Sequence, residues 1–168
     1  MTDVAVQGTI VETPILSLVV PCYNEDTVLS ITARVLKQKL HELISRGKIS
    51  VNSFIYFVDD GSSDATWDVI VNLNKGDHIF RGIKLSKNRG HQNAVLAGLL
   101  EAKNVADVVI SLDADLQDDI NAIDEMIDKY LEGCHIVFGV RSSRTKDSFF
   151  KRFTAESFYK LLRFFSDD

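Results

Sequence analysis

Cysteine and proline are both scarce in this 168-residue chain, with Cys22 and Cys134, Pro14 and Pro21 the whole complement. Two cysteines cannot build a disulfide framework, which points to a reducing, cytoplasmic setting. So few prolines, with only 9 glycines, exclude collagenous and low-complexity chains. No apolar run nears the roughly 20 residues of a bilayer span, and the N-terminus lacks the basic, apolar and small-residue succession of a secretory signal. Positive charge is also short, Lys+Arg 19 against Asp+Glu 24, which argues against a nucleic-acid binder. What remains is ordinary globular composition, 45% hydrophobic and 26% charged, with one domain as the expectation at this length. The charge is unevenly spread. Residues 1–140 carry 12 basic and 20 acidic side chains, net −8, whereas residues 141–168 carry 7 and 4, net +3.

Residues 1–14 show no periodicity and read as a loose lead-in. ILSLVV (15–20), halted by Pro21, is the continuous apolar run of a strand buried on both faces. Val28, Ile31, Val35, Leu36, Leu40, Leu43 and Ile44 then mark one stripe of a helix from about Asp26 to Arg46, with Gly47 at its end. The alternation continues with strand 53–59, helix 64–74, strand 80–86, helix 91–103, strand 107–112, helix 119–132 and strand 134–140. It predicts an α/β domain, a mostly parallel sheet with helices on both faces, of Rossmann-like type. From Phe149 to Phe165 the pattern changes, with six of the ten Phe interleaved with Lys151, Arg152, Lys160 and Arg163. The reading therefore divides the chain into a lead-in (1–14), a core (15–148) and an aromatic, basic helix (149–168).

Ligands of open parallel sheets bind beyond the carboxyl ends of the strands. Here those ends read Pro21-Cys22-Tyr23-Asn24-Glu25, Asp59-Asp60-Gly61-Ser62-Ser63-Asp64, Ser86-Lys87-Asn88-Arg89-Gly90-His91, Asp113-Ala114-Asp115-Leu116-Gln117 and Gly139-Val140-Arg141. At least five carboxylates thus gather on one edge, a density that a cation or ligand donors must compensate. In an extended chain Asp113 and Asp115 point the same way, Gln117 continues the alternation, and the set suits Mg²⁺ or Mn²⁺ with open positions for a diphosphate. Alone, an Asp-x-Asp triplet is more often a solvated strand end; its place among four other polar ends reverses that weighting. At least one of Asp59 and Asp60 is read as a contact to nucleobase or ribose, and Asp64 as a helix cap. Gly90 opens a helix whose free N–H groups suit an anion. Cys22 reads as a small buried thiol and Cys134 as core, since no histidine is spaced to activate either.

VVPCYNE (19–25), VDDGSSDAT (58–66), NRGHQNAVLAGL (88–99) and SLDADLQDD (111–119) together resemble the ordered motifs of family 2 glycosyltransferases with the GT-A fold. The wording is most similar to the polyprenyl-phosphate branch, typified by dolichol-phosphate mannose synthase and the bactoprenol glucosyltransferases, and GVRSSR…DSFFKR…FYKLL (139–162) extends the likeness. The resemblance implies an inverting, metal-dependent hexosyltransferase using a UDP- or GDP-hexose. It assigns Pro21, Tyr23, Glu25, Asp59, Asp60 and Asp113 to the nucleotide-sugar, Asp113 and Asp115 to catalysis, and Asp115 and Gln117 to the metal. Arg141, Arg144 and Arg152 fall to the donor or acceptor phosphate. Where the family often has Asp-Pro-Pro, this chain has Asp118-Asp119-Ile120, a change in how the next helix begins. The family continues with an acceptor-side segment and this branch with membrane helices, so the expectation is a C-terminally truncated catalytic core. The implied setting is the cytoplasmic face of the membrane, with a membrane-anchored full-length protein serving the cell envelope.

The acceptor implied first is a polyprenyl (undecaprenyl or dolichyl) phosphate, already anionic and in need of no strong base. A saccharide hydroxyl acceptor in cell-surface polysaccharide synthesis is the alternative, with Asp113 as fallback base. The Phe-rich tail suits either an interfacial helix on anionic lipid or a last helix packing Phe149, Phe153 and Leu161 on the core. A receiver-like phospho-switch module, phosphorylated at Asp113, is the non-enzyme reading. It needs an acidic pair after the first strand and a Lys after the last, where this chain has PCYNE and Arg141.

Overall fold

The computed structural model describes residues 13–139. Strands and helices alternate as β1 (Leu16–Cys22), α1 (Leu29–Ser45), β2 (Phe54–Asp59), α2 (Thr66–Gly76), β3 (Phe80–Lys84), α3 (His91–Ala102), β4 (Val108–Ser111) and α4 (Ala122–Leu131). All four strands are parallel, in the order β3-β2-β1-β4. The chain winds outward from β1 to β3, then returns to lay β4 on the other side of β1. The point where the order reverses therefore lies between β1 and β4, and there the loops leaving the two strands diverge and open a crevice.

β1 is central and buried along its whole length, and its two sets of alternating side chains serve two cores. Leu16, Leu18, Val20 and Cys22 pack with Leu29, Ala33, Leu36, Leu40 and Leu43 of α1, Ile70 of α2 and Ile123 and Ile127 of α4. Val19 joins Val58, Ala94 and Ala102 on the opposite face, beneath α3. That second layer is thin because α3 approaches closely: a Cβ on Gly98 would collide with Val19 and Val58.

Two expectations need correction. β1 does not stop at Pro21 but runs through it to Cys22, with Pro21 opposite Val58. The carbonyl of Val19 accepts from Leu112 and that of Cys22 from Asp60, so odd residues face β4 and even ones β2. Pro21 thus directs its missing N–H toward the side where pairing with β4 has already ended at Val19. The expected strand over 134–140 is not a strand through residue 139: these residues are irregular, Ile136 is 74% exposed, and Cys134 is exposed rather than core. An apolar run specifies a wish for burial but not a partner edge, and β4, four residues long and only half-buried, is a poor template.

Candidate active site

The crevice between the ends of β1 and β4 is a cleft of about 490 Å³. Its walls come from four segments distant in sequence: Pro21, Cys22, Tyr23 and Glu25; Asp60; Asn88, Gly90, His91 and Ala94; Asp113, Ala114 and Asp115. Of the residues expected to meet a donor, Pro21, Tyr23, Glu25, Asp60, Asp113 and Asp115 line it. Asp59 and Gln117 do not, and Arg141, Arg144 and Arg152 lie outside the described residues, as does the 149–168 segment.

The loop after β1 is stitched to the loop after β2. Asn24 sits in the left-handed region (φ 57°); its N–H donates to Ser62 Oγ at 3.0 Å, and its Oδ1 accepts from Ser63 N–H at 2.9 Å. Glu25 N–H donates to Thr66 Oγ1 at 2.8 Å. Asp64 Oδ1 accepts from Thr66 N–H at 3.0 Å, but the N-cap of α2 is Ala65, with no side-chain cap bond, so the cap expected at Asp64 stands one residue outside that position. These bonds use the backbone of Glu25 and leave its carboxylate to the cleft. Burial, with the charges of Asp115 and Asp64 added, holds that carboxyl above the usual glutamate range.

The loop after β4 is anchored from beneath. Thr32 Oγ1, fully buried in α1, donates to the Ala114 carbonyl at 2.6 Å. Ala114 points to the core while Asp113 and Asp115 flank it on the cleft side, the alternation that the triplet predicts. That alternation does not reach Gln117. Leu116 adopts φ 56°, turning the chain, and the Gln117 N–H folds back to Asp115 Oδ1 at 3.0 Å, leaving Gln117 exposed outside the cleft.

Asp59 and Asp60, adjacent and alike in sequence, part company. Asp59 is wholly buried; its Oδ1 accepts from Ser62 N–H at 2.9 Å, and its Oδ2 has no hydrogen-bond partner among the described residues. Asp60 reaches the cleft but gives its oxygens to the Arg89 and Gly90 amides at 2.7 and 2.8 Å. The anion held where α3 begins is thus the chain's own. Beyond it His91, the first residue of α3, brings Nε2 to 3.8 Å from Asp113 Oδ1. Asn88 is a cleft residue that the sequence assignments omit, and His91, whose place after the third strand suits an acceptor or phosphate contact as well as a surface position, lines the cleft beside it. Cys22 is buried, donates to the Val20 carbonyl, and has its thiol pushed far up by burial and by the Glu25 and Asp59 charges. At neutral pH it is a packed thiol, not a nucleophile.

No three His, Cys, Asp or Glu side chains among the described residues converge as a ready-made metal centre. The donor set nonetheless fits a hard cation that also binds ligand oxygens. Asp113 and Asp115 are exposed carboxylates on one wall, and the raised Glu25 records the burial and the negative charge beside them.

Comparison with known proteins bears on the family and the fold. Residues 17–168 match the family model described as glycosyl transferase family 2. Among curated proteins, the uncharacterized glycosyltransferase YkoT of Bacillus subtilis (strain 168) is 51% identical over 149 residues, 89% of this chain and 44% of that protein. The prophage bactoprenol glucosyl transferase homolog of Escherichia coli K12 is 38% identical over 87% of this chain and 45% of its own length. The bactoprenol glucosyl transferase of Shigella phage SfX is 36% identical with the same coverage. The chain thus spans less than half the length of these relatives. Among solved structures, S. aureus TarS 1-349 superposes with a TM-score of 0.51 at 18% identity, over 79% of this chain and 40% of that one. That likeness concerns the fold, which is of GT-A type. The receiver-like alternative falls with the family match. From the ordered motifs, the cleft at the reversal of strand order and the family match, the chain belongs to glycosyl transferase family 2.

Proposed function

We propose that this chain carries the donor site of an inverting hexosyltransferase that uses a nucleotide diphosphate sugar and a polyprenyl phosphate acceptor. The observation that carries the reading is the joining of Asp113, Asp115 and Glu25 in one cleft at the strand-order reversal. The curated relatives named as bactoprenol glucosyl transferases support the acceptor class.

In this reading Pro21, Tyr23 and Glu25 bound the nucleotide half, and Asp113 and Asp115 face the diphosphate. Asp59, buried beneath the loop, shapes the 60–63 turn through Ser62. Asp115 and Asp113 would hold a Mg²⁺ or Mn²⁺ ion, with Gln117 joining only if the turn at Leu116 opens. Such an ion supplies charge neutralisation on the leaving diphosphate. The protein's part is to hold these carboxylates still, through Thr32 and Ala114, and to leave the anionic acceptor without a base requirement.

Thermal unfolding of the full chain with UDP, GDP and their hexose conjugates, with and without Mn²⁺, tests the donor site. The matching nucleotide with metal should raise the transition by about 5 °C at saturating ligand. No shift with any nucleotide, metal present, removes the donor assignment. Transfer of labelled hexose to a short polyprenyl phosphate, and not to an oligosaccharide, supports the acceptor; the opposite preference moves the chain to the saccharide class.

A further inference from the structure

We infer that Asp60 is a positioning residue, a carboxylate clamp that sets the cleft wall formed by Asn88, Gly90 and His91. Asp60 is 3% exposed, and its two oxygens accept from consecutive amides, Oδ1 from Arg89 N–H at 2.7 Å and Oδ2 from Gly90 N–H at 2.8 Å. Its own N–H donates to the Cys22 carbonyl at 2.9 Å, so the clamp is fixed to the central strand. The segment's other side-chain bonds are local, the Gly90 N–H shared with Asn88 Oδ1 at 3.0 Å and Asn93 Nδ2 donating to the Arg89 carbonyl at 2.7 Å, and residues 87–93 are all exposed. Gly90 adopts φ 87°, and its carbonyl accepts from Asn93 and Ala94, so the clamped residue is also the one from which α3 is launched. The neighbouring Gly61 holds the same segment by another means. At φ 68° a Cβ there would run into the backbone of Lys87 and Asn88, so the two loops lie in backbone contact.

The chemistry demands a carboxylate. Two N–H donors converge on one side chain, and an Asn could accept from only one while turning an NH₂ against the other. Charge adds to the bond strength and places an anion at the N-terminus of α3. With those amides already occupied, the phosphates of a donor are left to the Asp113–Asp115 wall, toward which the clamp carries His91. This last consequence rests on the proposed donor site; the clamp itself does not.

Hydrogen exchange resolved to single amides on the full chain tests it. In the wild type, Arg89 and Gly90 should exchange about tenfold or more slower than Lys87 and Asn88, after correction for intrinsic rates. Asp60→Asn should remove that difference at one at least of the two amides, leave protection in β1 and α1 in place, and weaken binding of UDP or GDP with Mn²⁺ by about tenfold. Gly61→Ala, with the carboxylate intact, should speed exchange at Arg89 and Gly90 by displacing the segment from its clamp. Wild-type amides at 89 and 90 exchanging as fast as those at 87 and 88 would overturn the clamp, whether or not the variants fold. So would an Asp60→Asn chain that loses nucleotide affinity with protection at 89 and 90 unchanged, which would make Asp60 a ligand contact. If neither nucleotide binds the wild type, the donor reading fails and the exchange data still decide the clamp.

Discussion

Glu25 and Asp115 show how much of a site can rest on one unfavourable pair. The cleft holds Glu25 partly out of water and within the field of Asp115, so its neutral form is favoured more in the fold than in the unfolded chain. The sign follows directly. A carboxyl raised on folding contributes stability that is complete below its unfolded value and lost as pH rises through its folded value. Asp115→Asn should therefore move the Glu25 carboxyl back toward the ordinary range, seen by carbon NMR titration, and lessen the loss of stability on raising pH. The same substitution should abolish any Mn²⁺-dependent nucleotide shift in melting temperature, whereas Gln117→Ala should leave most of it. Asp113, Asp115 and Glu25 were legible in the sequence because strand ends place residues wherever the loop geometry is short. The division of labour between Asp59 and Asp60 was not. Both are buried, and which of the two lines the cleft depends on amides some thirty positions further along the chain, while Asn88 and His91 likewise gain meaning only from the loop they meet.

Among the elements, α3 is the most exacting. Its glycine lets it lie directly on Val19 and Val58, and Gly98→Ala should cost about 1–3 kcal/mol in chemical denaturation through overpacking. On the opposite face, α1 and α4 share an ion cluster: Lys39 Nζ meets Asp124 at 2.9 Å and Asn121 at 3.1 Å, while Arg46 meets Asp124 at 2.6 Å. Burial alone would raise Asp124, but the bonds and charges of Lys39, with Arg46 and Lys48, bring it below the usual range. Its contribution is present at neutral pH and lost as pH falls through that lowered value. Asp124→Ala leaves the Lys39 ammonium, 7% exposed, short of its main partner, and should destabilise by about 2 kcal/mol. Periodicity predicted all four helices and the four paired strands, with ends displaced by up to three residues where capping and turns intervene. It overran at 134–139, because hydrophobic pattern carries no information on which sheet edge is open.

For the whole molecule, the acid surplus over residues 1–140 is not spread as a solvated coat. Part of it is concentrated where four loops meet, so divalent cations should stabilise the wild type more than equal ionic strength of NaCl does, and Asp113→Ala with Asp115→Ala should erase the difference in melting temperature. No helix among the described residues is long and apolar enough to cross a membrane.

The order in which the strands lie has a temporal consequence. β1 and β2 pair with their successors in the chain, but β4 does not pair with β3 and must cross back to join β1, setting Leu16 beside Val108. Closing so long a loop is the slow entropic step of assembly. The cleft is complete only after that step, since its Asp113, Ala114 and Asp115 wall follows β4. Refolding watched by Trp67, which packs beside β3, should therefore run ahead of the recovery of nucleotide binding. A chain in that interval would have a formed three-strand core and no site, and simultaneous recovery of both signals would show that β4 docks with the rest.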